Sequence, residues 1–358
     1  MSDYWQRPIL SQTRQNVFSL YAEDCGLCHK GQYNDWNKSL HSKAVGPGLT
    51  GQLRPSKDPS FAASCYVCHA PMEEQSEMKE ARGKRQEEYI KNPLFDNRLK
   101  LSGVSCSVCH LRGGKIYGPP ATSKSQISNL KSQIKGDHNG FVEKDFFEKA
   151  EFCAACHQLD EGYELNGKLL VNTYREWEES LYGKNNIICQ NCHMPDRQHL
   201  WRGIHDPDMV KNGVTIDARR EDKKAKLTIT NAAVGHLFPT YATPLIIVKG
   251  FMLDKKGRVV QSSLKEAYIG RRISLDLSEE LFDTRIGPQK RFEFDYVIDK
   301  SYNKNKLVFE AWVYPDEFYN RFYRELLKGS DKNLDRKEIE KALSITEESG
   351  YLLFRKNL

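Results

Sequence analysis

The chain has 358 residues, of which 39% are hydrophobic, and 54 basic against 48 acidic side chains give a formal net charge of +6. The longest purely aliphatic run, residues 245–248, is far shorter than the roughly 20 residues that span a bilayer, so no transmembrane segment is predicted. Lysine and arginine are scattered among acidic residues and form no basic block, which argues against nucleic acid as a partner.

The first part of the chain is a loose repeat built on a C-x-x-C-H motif. The motifs start at residues 25, 65, 106, 153 and 189, so successive starts are 40, 41, 47 and 36 residues apart. Units of this length hold one or two short helices and a loop, with little else to bury. Periodicity predicts helices over residues 72–91, 125–135, 141–157 and 173–182. We assign residues 1–212 to this mostly helical and loop domain.

After about residue 212 the pattern changes to period-two alternation, and no cysteine occurs. Strands are predicted over residues 227–230, 246–248, 251–253, 259–260, 292–297 and 307–313. Residues 254–257 predict a hairpin turn in which Gly257 adopts a positive φ. We interpret residues 213–316 as an antiparallel β-sandwich domain of about immunoglobulin size.

The last part of the chain, residues 317–358, is predicted to be a short helical tail. Its apolar residues are spaced to pack back on the body: Phe318, Phe322, Leu326 and Leu327. The fold class predicted for the whole chain is therefore α+β, with a mostly helical and loop motif domain, a β-sandwich and this tail.

Every cysteine belongs to one of the five motifs. The motif residues are Cys25, Cys28 and His29; Cys65, Cys68 and His69; Cys106, Cys109 and His110; Cys153, Cys156 and His157; and Cys189, Cys192 and His193. Cysteines so close in sequence are poor structural cross-links, so the spacing disfavours disulfides. Zinc ribbons and thioredoxin-like redox sites do not need the histidine, and a redox site needs one pair rather than five.

C-x-x-C-H is the attachment signal for c-type haem. The two thiols add to the vinyl groups of one porphyrin, and the adjacent imidazole becomes the proximal ligand of the iron. We therefore predict five covalently bound c-type haems, with the ten cysteines as attachment sites and the five motif histidines as iron ligands.

Five histidines remain outside the motifs: His41, His138, His199, His205 and His236. Five irons with one proximal histidine each need five further ligands for bis-histidine coordination, so the count predicts these residues as distal ligands. For any one of them, a surface or hydrogen-bonded role is the alternative. Gly235 and Pro239 flank His236 and would permit close backbone approach to a flat ligand and fix the loop. We expect His236 to bind a haem and so join the β region to the motif domain.

Several stretches resemble the cytochrome c554-related multihaem cytochromes, and the chain is identified as a pentahaem member. They are W-N-K-S-L-H at 36–41, G-V-S at 103–105, Phe152, N-T-Y-R-E-W at 172–177, H-M-P at 193–195, G-I-H-D at 203–206 and G-H-L-F-P-T at 235–240. The resemblance spans roughly residues 20–245. It implies that His41, His205 and His236 are distal ligands, whereas His199 and His138 match more loosely.

The sequence departs from that family pattern in two places. A second W-x-x-S unit, at residues 177–180, leads to Tyr182 where the first leads to His41. Either one haem is open or ligated by Tyr182, or this position never bound iron, and the five spare histidines favour the second. Residues 111–114 lack a histidine that some relatives carry after the third motif, and His138 is the candidate substitute.

Five haems in fewer than 200 residues must lie close together, which favours electron transport between redox protein partners at the cell envelope. Bis-histidine ligation, without a methionine that raises the potential, predicts low to intermediate potentials. One alternative is an oxidoreductase that acts on a small nitrogen or sulfur compound at one open haem. Another is a structural subunit of a membrane complex or of a filament formed by self-association.

The expected location is periplasmic or extracellular, because haem attachment of this type occurs outside the cytoplasm. The first ten residues contain no apolar stretch after a basic one, so no export leader is predicted within them.

Overall fold

The computed structural model describes residues 3–5, 9, 19–53, 59–80, 89–120, 141–302 and 305–358. The chain forms two compact units, each assembled from several segments. The first unit contains Met1–Cys156, Ile188–Trp201 and Ser330–Ile339, and the second contains His157–Ile187, Arg202–Gly329 and Glu340–Leu358. The domain limits at residues 212 and 316 stay predictions. Within the described ranges, none of the helices has the length and apolar composition needed to span a bilayer.

The helices are short, apart from the last two. In chain order they are α1 (Ala22–Gly26), α2 (Lys30–Lys38), α3 (Pro47–Leu53), α4 (Pro59–His69), α5 (Asn97–Leu101), α6 (Cys106–His110), α7 (Glu151–His157), α8 (Thr173–Glu178), α9 (Leu181–Lys184), α10 (Cys189–His193), α11 (Pro207–Gly213), α12 (Glu317–Lys328) and α13 (Arg336–Glu348). Short 3-10 turns occupy Asp3–Trp5, His41–Lys43, Glu73–Gln75, Asp145–Glu148, Pro195–Arg197, Gln261–Ser263 and Lys300–Tyr302.

The strands are short in the motif region and mostly longer after residue 213. In chain order they are β1 (Met78–Glu80), β2 (Tyr89–Lys91), β3 (Leu111–Arg112), β4 (Lys115–Gly118), β5 (Val142–Glu143), β6 (Glu164–Leu165), β7 (Lys168–Leu169), β8 (Val214–Glu221), β9 (Lys224–Asn231), β10 (Leu245–Leu253), β11 (Lys265–Ile273), β12 (Glu280–Asp283), β13 (Arg291–Val297), β14 (Lys306–Tyr314) and β15 (Tyr351–Asn357).

The helix predicted over residues 72–91 is wrong for residues 72–80 and 89–91, and residues 81–88 lie outside the described residues. The segment holds a 3-10 turn and the antiparallel pair β1–β2. Gln75 is fully buried and its amide donates to the carbonyls of Leu99 and Gly103, at 2.8 and 2.7 Å. The segment is rich in charge but has no apolar stripe at helical spacing, so no helical face could be buried.

Two other helix predictions are confirmed only in part. Residues 141–157 become helical at α7, after β5 and a 3-10 turn. Residues 173–182 form α8 and the start of α9, because the Ser180 hydroxyl accepts from the N–H groups of Tyr182 and Gly183 and begins a new helix. Residues 125–135 lie outside the described residues.

The second unit contains two antiparallel sheets packed on one core, in the strand orders β12-β11-β10-β14-β15 and β13-β9-β8. Leu227 and Ile229 of β9 and Ile246 and Val248 of β10 are fully buried in that core. The α+β class is confirmed.

Most strand predictions fall in the observed strands. Residues 227–230, 292–297 and 307–313 lie in β9, β13 and β14, and both predictions between residues 246 and 253 lie in β10. Gly257 has φ 77° in the turn after β10, as predicted. Residues 259–260 form only an isolated bridge, from Val259 to Leu253.

The end of the chain corrects the prediction of a helical tail. Helices α12 and α13 form, but the last residues are β15, which pairs antiparallel with β14 from Val308↔Asn357 to Val313↔Tyr351. Leu353 of β15 lies in the core of the two sheets. The C-terminal segment thus completes the five-stranded sheet, which its short, weakly alternating pattern did not reveal.

Candidate functional site

Each C-x-x-C-H motif forms a helical turn. The third and fifth motifs coincide with α6 and α10, the second and fourth end α4 and α7, and in the first the His29 N–H donates to the Cys25 carbonyl at 2.9 Å. Residues i, i+3 and i+4 of a helix share one face. Each turn therefore directs two thiols and one imidazole to the same side, the donor set that one haem requires.

All ten cysteines lie in the described residues, and none of them forms a disulfide there. Thiols from different motifs meet in pairs: Cys25 forms a hydrogen bond with Cys106, and Cys153 with Cys189. The hydrogen bond lowers the pKa of Cys25 and raises the pKa of Cys106, and the second pair behaves likewise, with Cys189 lowered and Cys153 raised. Attachment points of the first and third motifs, and of the fourth and fifth, thus lie side by side.

Hydrogen bonds to Nδ1 orient three of the motif histidines. The partners are the Ala44 carbonyl for His69 at 2.7 Å, the Tyr117 carbonyl for His110 at 2.8 Å, and the Tyr241 hydroxyl for His157 at 2.5 Å. A carbonyl oxygen can only accept, so its partner Nδ1 carries the proton and Nε2 keeps a lone pair. Metal-binding histidines in proteins commonly have this arrangement.

Two of the predicted distal ligands have the same arrangement. Nδ1 of His199 lies 3.0 Å from the Arg197 carbonyl, and Nδ1 of His236 lies 2.8 Å from the Leu237 carbonyl. The backbone N–H of His199 also donates to the Asp35 carboxylate at 3.2 Å. A carbonyl oxygen only accepts, so both histidines carry the proton on Nδ1 and the lone pair on Nε2.

The rings of His110 and His199 form a nearly parallel pair. Their centres are 6.2 Å apart and their planes differ by 25°. Two imidazoles bound at about 2 Å to opposite sides of one metal ion have ring centres about 6 Å apart. Burial lowers the pKa of His110 to about 4 and also lowers the pKa of His199, so both rings are neutral near pH 7. The pair has the spacing and protonation that a bis-histidine iron requires.

His41 belongs to the same group of rings. Trp201 stands edge-on to both His41 and His199, with ring centres 4.7 and 5.0 Å away. The His41 carbonyl accepts from the Val104 N–H at 3.0 Å. A Cβ on Gly103, where φ is 59°, would lie 2.7 Å from that carbonyl oxygen, so glycine is required there. The loop before the third motif is thereby tied to His41.

His205 is placed differently from the other predicted ligands. Its Nε2 lies 3.0 and 3.1 Å from the two carboxylate oxygens of Asp316. The nitrogen that iron would use is therefore engaged by an anion, and iron binding by His205 stays a prediction. His138 lies outside the described residues.

Tyr182 packs against the loop that carries His236. A Cβ on Gly235 would lie 3.2 Å from the Tyr182 Cβ, and the Tyr182 hydroxyl donates to the Ala232 carbonyl at 3.5 Å. The neighbour of Gly235 is therefore a side chain of the same unit, and the close approach of a flat ligand to this glycine stays a prediction.

Sequence reasoning missed the ion pair that supports the His236 loop. Glu176 accepts from the Leu237 N–H at 3.2 Å and the Thr240 hydroxyl at 2.7 Å, and it pairs with Arg285 at 3.2 Å. Burial raises the pKa of Glu176, whereas its hydrogen bonds and Arg285 oppose that rise. Glu176 lies in the N-T-Y-R-E-W stretch, which was a usable signal. Arg285 lies 109 residues after Glu176, and no local sequence pattern indicated it as the partner.

Large apolar side chains are exposed beside the motifs. Leu27 and Val67, inside the first and second motifs, are 64% and 40% exposed, and Leu40, before His41, is 55% exposed. Such surface is stabilised when another apolar body covers it. The faces of a porphyrin have that character, so the apolar residues as well as the donor set fit haem.

Helical C-x-x-C-H turns with oriented imidazoles and apolar margins are the features expected of sites for covalently bound haem. The family model "Cytochrome c554 and c-prime" matches residues 24–113. Cytochrome c-554 of Nitrosomonas europaea is 28% identical over 153 residues, which are 40% of this chain and 59% of that protein. Over this part the chain is similar to cytochrome c554, and the match spans less than two thirds of that relative's length.

A solved structure is similar over almost the whole chain. It is a penta-heme cytochrome c552 from Thermochromatium tepidum, which covers 96% of this chain and 100% of its own with a TM-score of 0.59. The sequence identity is 16%, so the likeness is one of fold.

Proposed function

We propose that this protein carries electrons along five covalently bound haems between redox protein partners at the cell envelope. The observation that carries the proposal is the His110–His199 pair, two neutral imidazoles with 6.2 Å between ring centres. An iron held by both has no position left for a substrate and keeps the same ligands in both oxidation states. Such a site suits electron transfer better than chemistry on a bound molecule.

The number five comes from the motifs. Each of the five has the thiols and the imidazole that one haem needs, and the neighbouring c552 structure is described as penta-heme. The thiol contacts Cys25–Cys106 and Cys153–Cys189 support close spacing within two haem pairs, the first with the third and the fourth with the fifth. Close spacing is what rapid transfer between haems requires.

The ring geometry of His110 and His199 supports one part of the ligand assignment, and the motifs and the resemblance to cytochrome c554 supply the rest. His29, His69, His110, His157 and His193 are the proximal ligands, and His199 is the distal ligand of the third haem. His41 and His236 are distal ligands of other haems, and His138 and His205 are the remaining candidates. Thioether attachment and the resemblance to cytochrome c554 support a periplasmic or extracellular location.

The second candidate function is an oxidoreductase with one open haem. The position of His205 favours it, because Asp316 engages the nitrogen that would otherwise bind iron. An iron with only a proximal histidine is high-spin and accepts small ligands.

Electron paramagnetic resonance of the oxidised protein separates the two functions. We expect low-spin ferric signals only, unchanged by nitrite, hydroxylamine or cyanide, and a potentiometric titration with several transitions at low to intermediate potential. A high-spin signal that shifts with nitrite or hydroxylamine would establish the oxidoreductase instead. A single transition at high potential would contradict both bis-histidine ligation and the chain of haems.

A further inference from the structure

We propose that Tyr241 is a positioning residue that tunes the haem attached at Cys153 and Cys156, because its hydroxyl accepts the Nδ1 proton of His157. The inference rests on the proposed function, which makes His157 the proximal ligand of that haem. Nothing in the sequence pattern singled out Tyr241.

The contact differs in kind from those of the other oriented motif histidines. Nδ1 of His157 lies 2.5 Å from the Tyr241 hydroxyl oxygen, whereas His69 and His110 donate to backbone carbonyls. An imidazole that binds metal through Nε2 keeps its proton on Nδ1 and must donate there. The phenol is therefore the acceptor in this bond, and it is an acceptor that a single substitution removes.

The hydroxyl is held in place by the loop that precedes it. The Thr240 hydroxyl bonds to Glu176 at 2.7 Å and lies 2.9 Å from the Thr173 hydroxyl, and the Thr240 carbonyl accepts from Arg285 at 2.8 Å. Two residues earlier, Phe238 exchanges two backbone hydrogen bonds of 2.9 Å with Ile286. The backbone next to Tyr241 is thus fixed from several sides, which holds the point from which the phenol reaches His157.

A hydrogen bond from the proximal imidazole to an acceptor raises the basicity of Nε2. A more basic ligand favours ferric over ferrous iron and so lowers the midpoint potential. Loss of the Tyr241 acceptor should therefore raise the midpoint potential of one haem and leave the potentials of the others unchanged. The same seven-residue stretch, residues 235–241, carries His236 and Tyr241, so it supports two iron ligands at once.

The test is Tyr241→Phe in the mature holoprotein, with each midpoint potential determined by optical spectroelectrochemistry. We expect the equilibrium constant for reduction of one haem to rise threefold to tenfold. A tenfold rise corresponds to an upward shift of its midpoint potential by about 59 mV for a one-electron couple. The other transitions should stay in place. Tyr268→Phe is the matched control, because it removes a hydroxyl that meets Glu266 at 3.1 Å in the same unit, and no potential should move.

Site-specific 3-fluorotyrosine at position 241 keeps the ring and its hydroxyl but withdraws electron density from the oxygen. It should give a smaller upward shift of the same transition, which a merely structural role of the ring would not produce. Five haems per chain with all potentials unchanged in both variants would overturn the role of Tyr241 and leave the proposed function intact. Absence of haem from Cys153 and Cys156 in the unmodified protein would instead refute the proposed cofactor set.

Discussion

Replacement of His199 by methionine is expected to raise the midpoint potential of one haem by roughly 0.1–0.2 V, within the range of about 0.8 V over which axial ligands tune haem. The thioether of methionine is a softer and less basic donor than imidazole, so it favours ferrous iron. The affected haem should be the one attached at Cys106 and Cys109, because the His199 ring faces His110 with centres 6.2 Å apart. Spectroelectrochemical titration would resolve the shifted transition.

The matched control for this variant is Gln198→Met, which places a thioether in the same loop but leaves both imidazoles. It should leave every potential in place. His199→Ala extends the test, because loss of the ligand without a substitute should convert about one fifth of the iron to the high-spin form. Unchanged potentials and unchanged spin states in both His199 variants would show that another residue binds the third haem.

Replacement of Arg285 by methionine is expected to lower the free energy of unfolding of the second unit by about 3–5 kcal/mol. The Arg285 and Glu176 side chains are only 6% and 7% exposed, so the variant leaves Glu176 as a buried charge without its partner. Asp283, the other partner of Arg285, keeps Lys168 at 2.8 Å. Denaturant unfolding followed by far-ultraviolet circular dichroism would give the difference.

Two further variants distinguish the effect of an unpaired buried charge from an unspecific loss of stability. Lys226→Met breaks an exposed pair with Glu293 and should leave stability almost unchanged. Glu176→Met combined with Arg285→Met removes both buried charges and should recover much of the loss. If Arg285→Met and Lys226→Met unfold at the same denaturant concentration, the buried pair does not hold the loop as inferred.

The ion pairs of Asp283 with Arg285 and Lys168 make the stability of the second unit depend on pH in the acid range. Burial works against ionisation of Asp283, but hydrogen bonds from Arg285 and Lys168 outweigh it and hold the pKa of Asp283 well below its usual range. A carboxyl with a lowered pKa stabilises the fold above its unfolded value, about 3.9 for aspartate, and loses that contribution as the pH falls. Stability should therefore fall below about pH 4, and less steeply in Arg285→Met than in the unmodified protein.

The motif sites could be predicted from the sequence because their geometry is local. A cysteine, a second cysteine and a histidine at i, i+3 and i+4 share a helical face wherever the turn forms. His199 was predicted by counting spare histidines, although its pairing with His110 depends on residues 89 positions apart and needed the structure. The contact between His205 and Asp316 could not be predicted from the sequence either, since it joins residues 111 positions apart.

The elements that the sequence did not predict depend on distant partners. β15 forms because β14 offers it a free edge, and its own seven residues carry only a weak alternation. The support of the His236 loop by Arg285 likewise has no local signature. In contrast, the error at residues 72–91 was avoidable, because a charged segment with no apolar stripe lacks the feature that stabilises a helix in a protein.

Intact mass spectrometry of the denatured holoprotein tests the five-haem assignment most directly. Thioether bonds survive denaturation, so the unmodified chain should carry the added mass of five haems. The double variant Cys106→Ala with Cys109→Ala should carry four. Fewer than five haems on the unmodified chain, or haem released by denaturation alone, would contradict the assignment of one covalent haem to each motif.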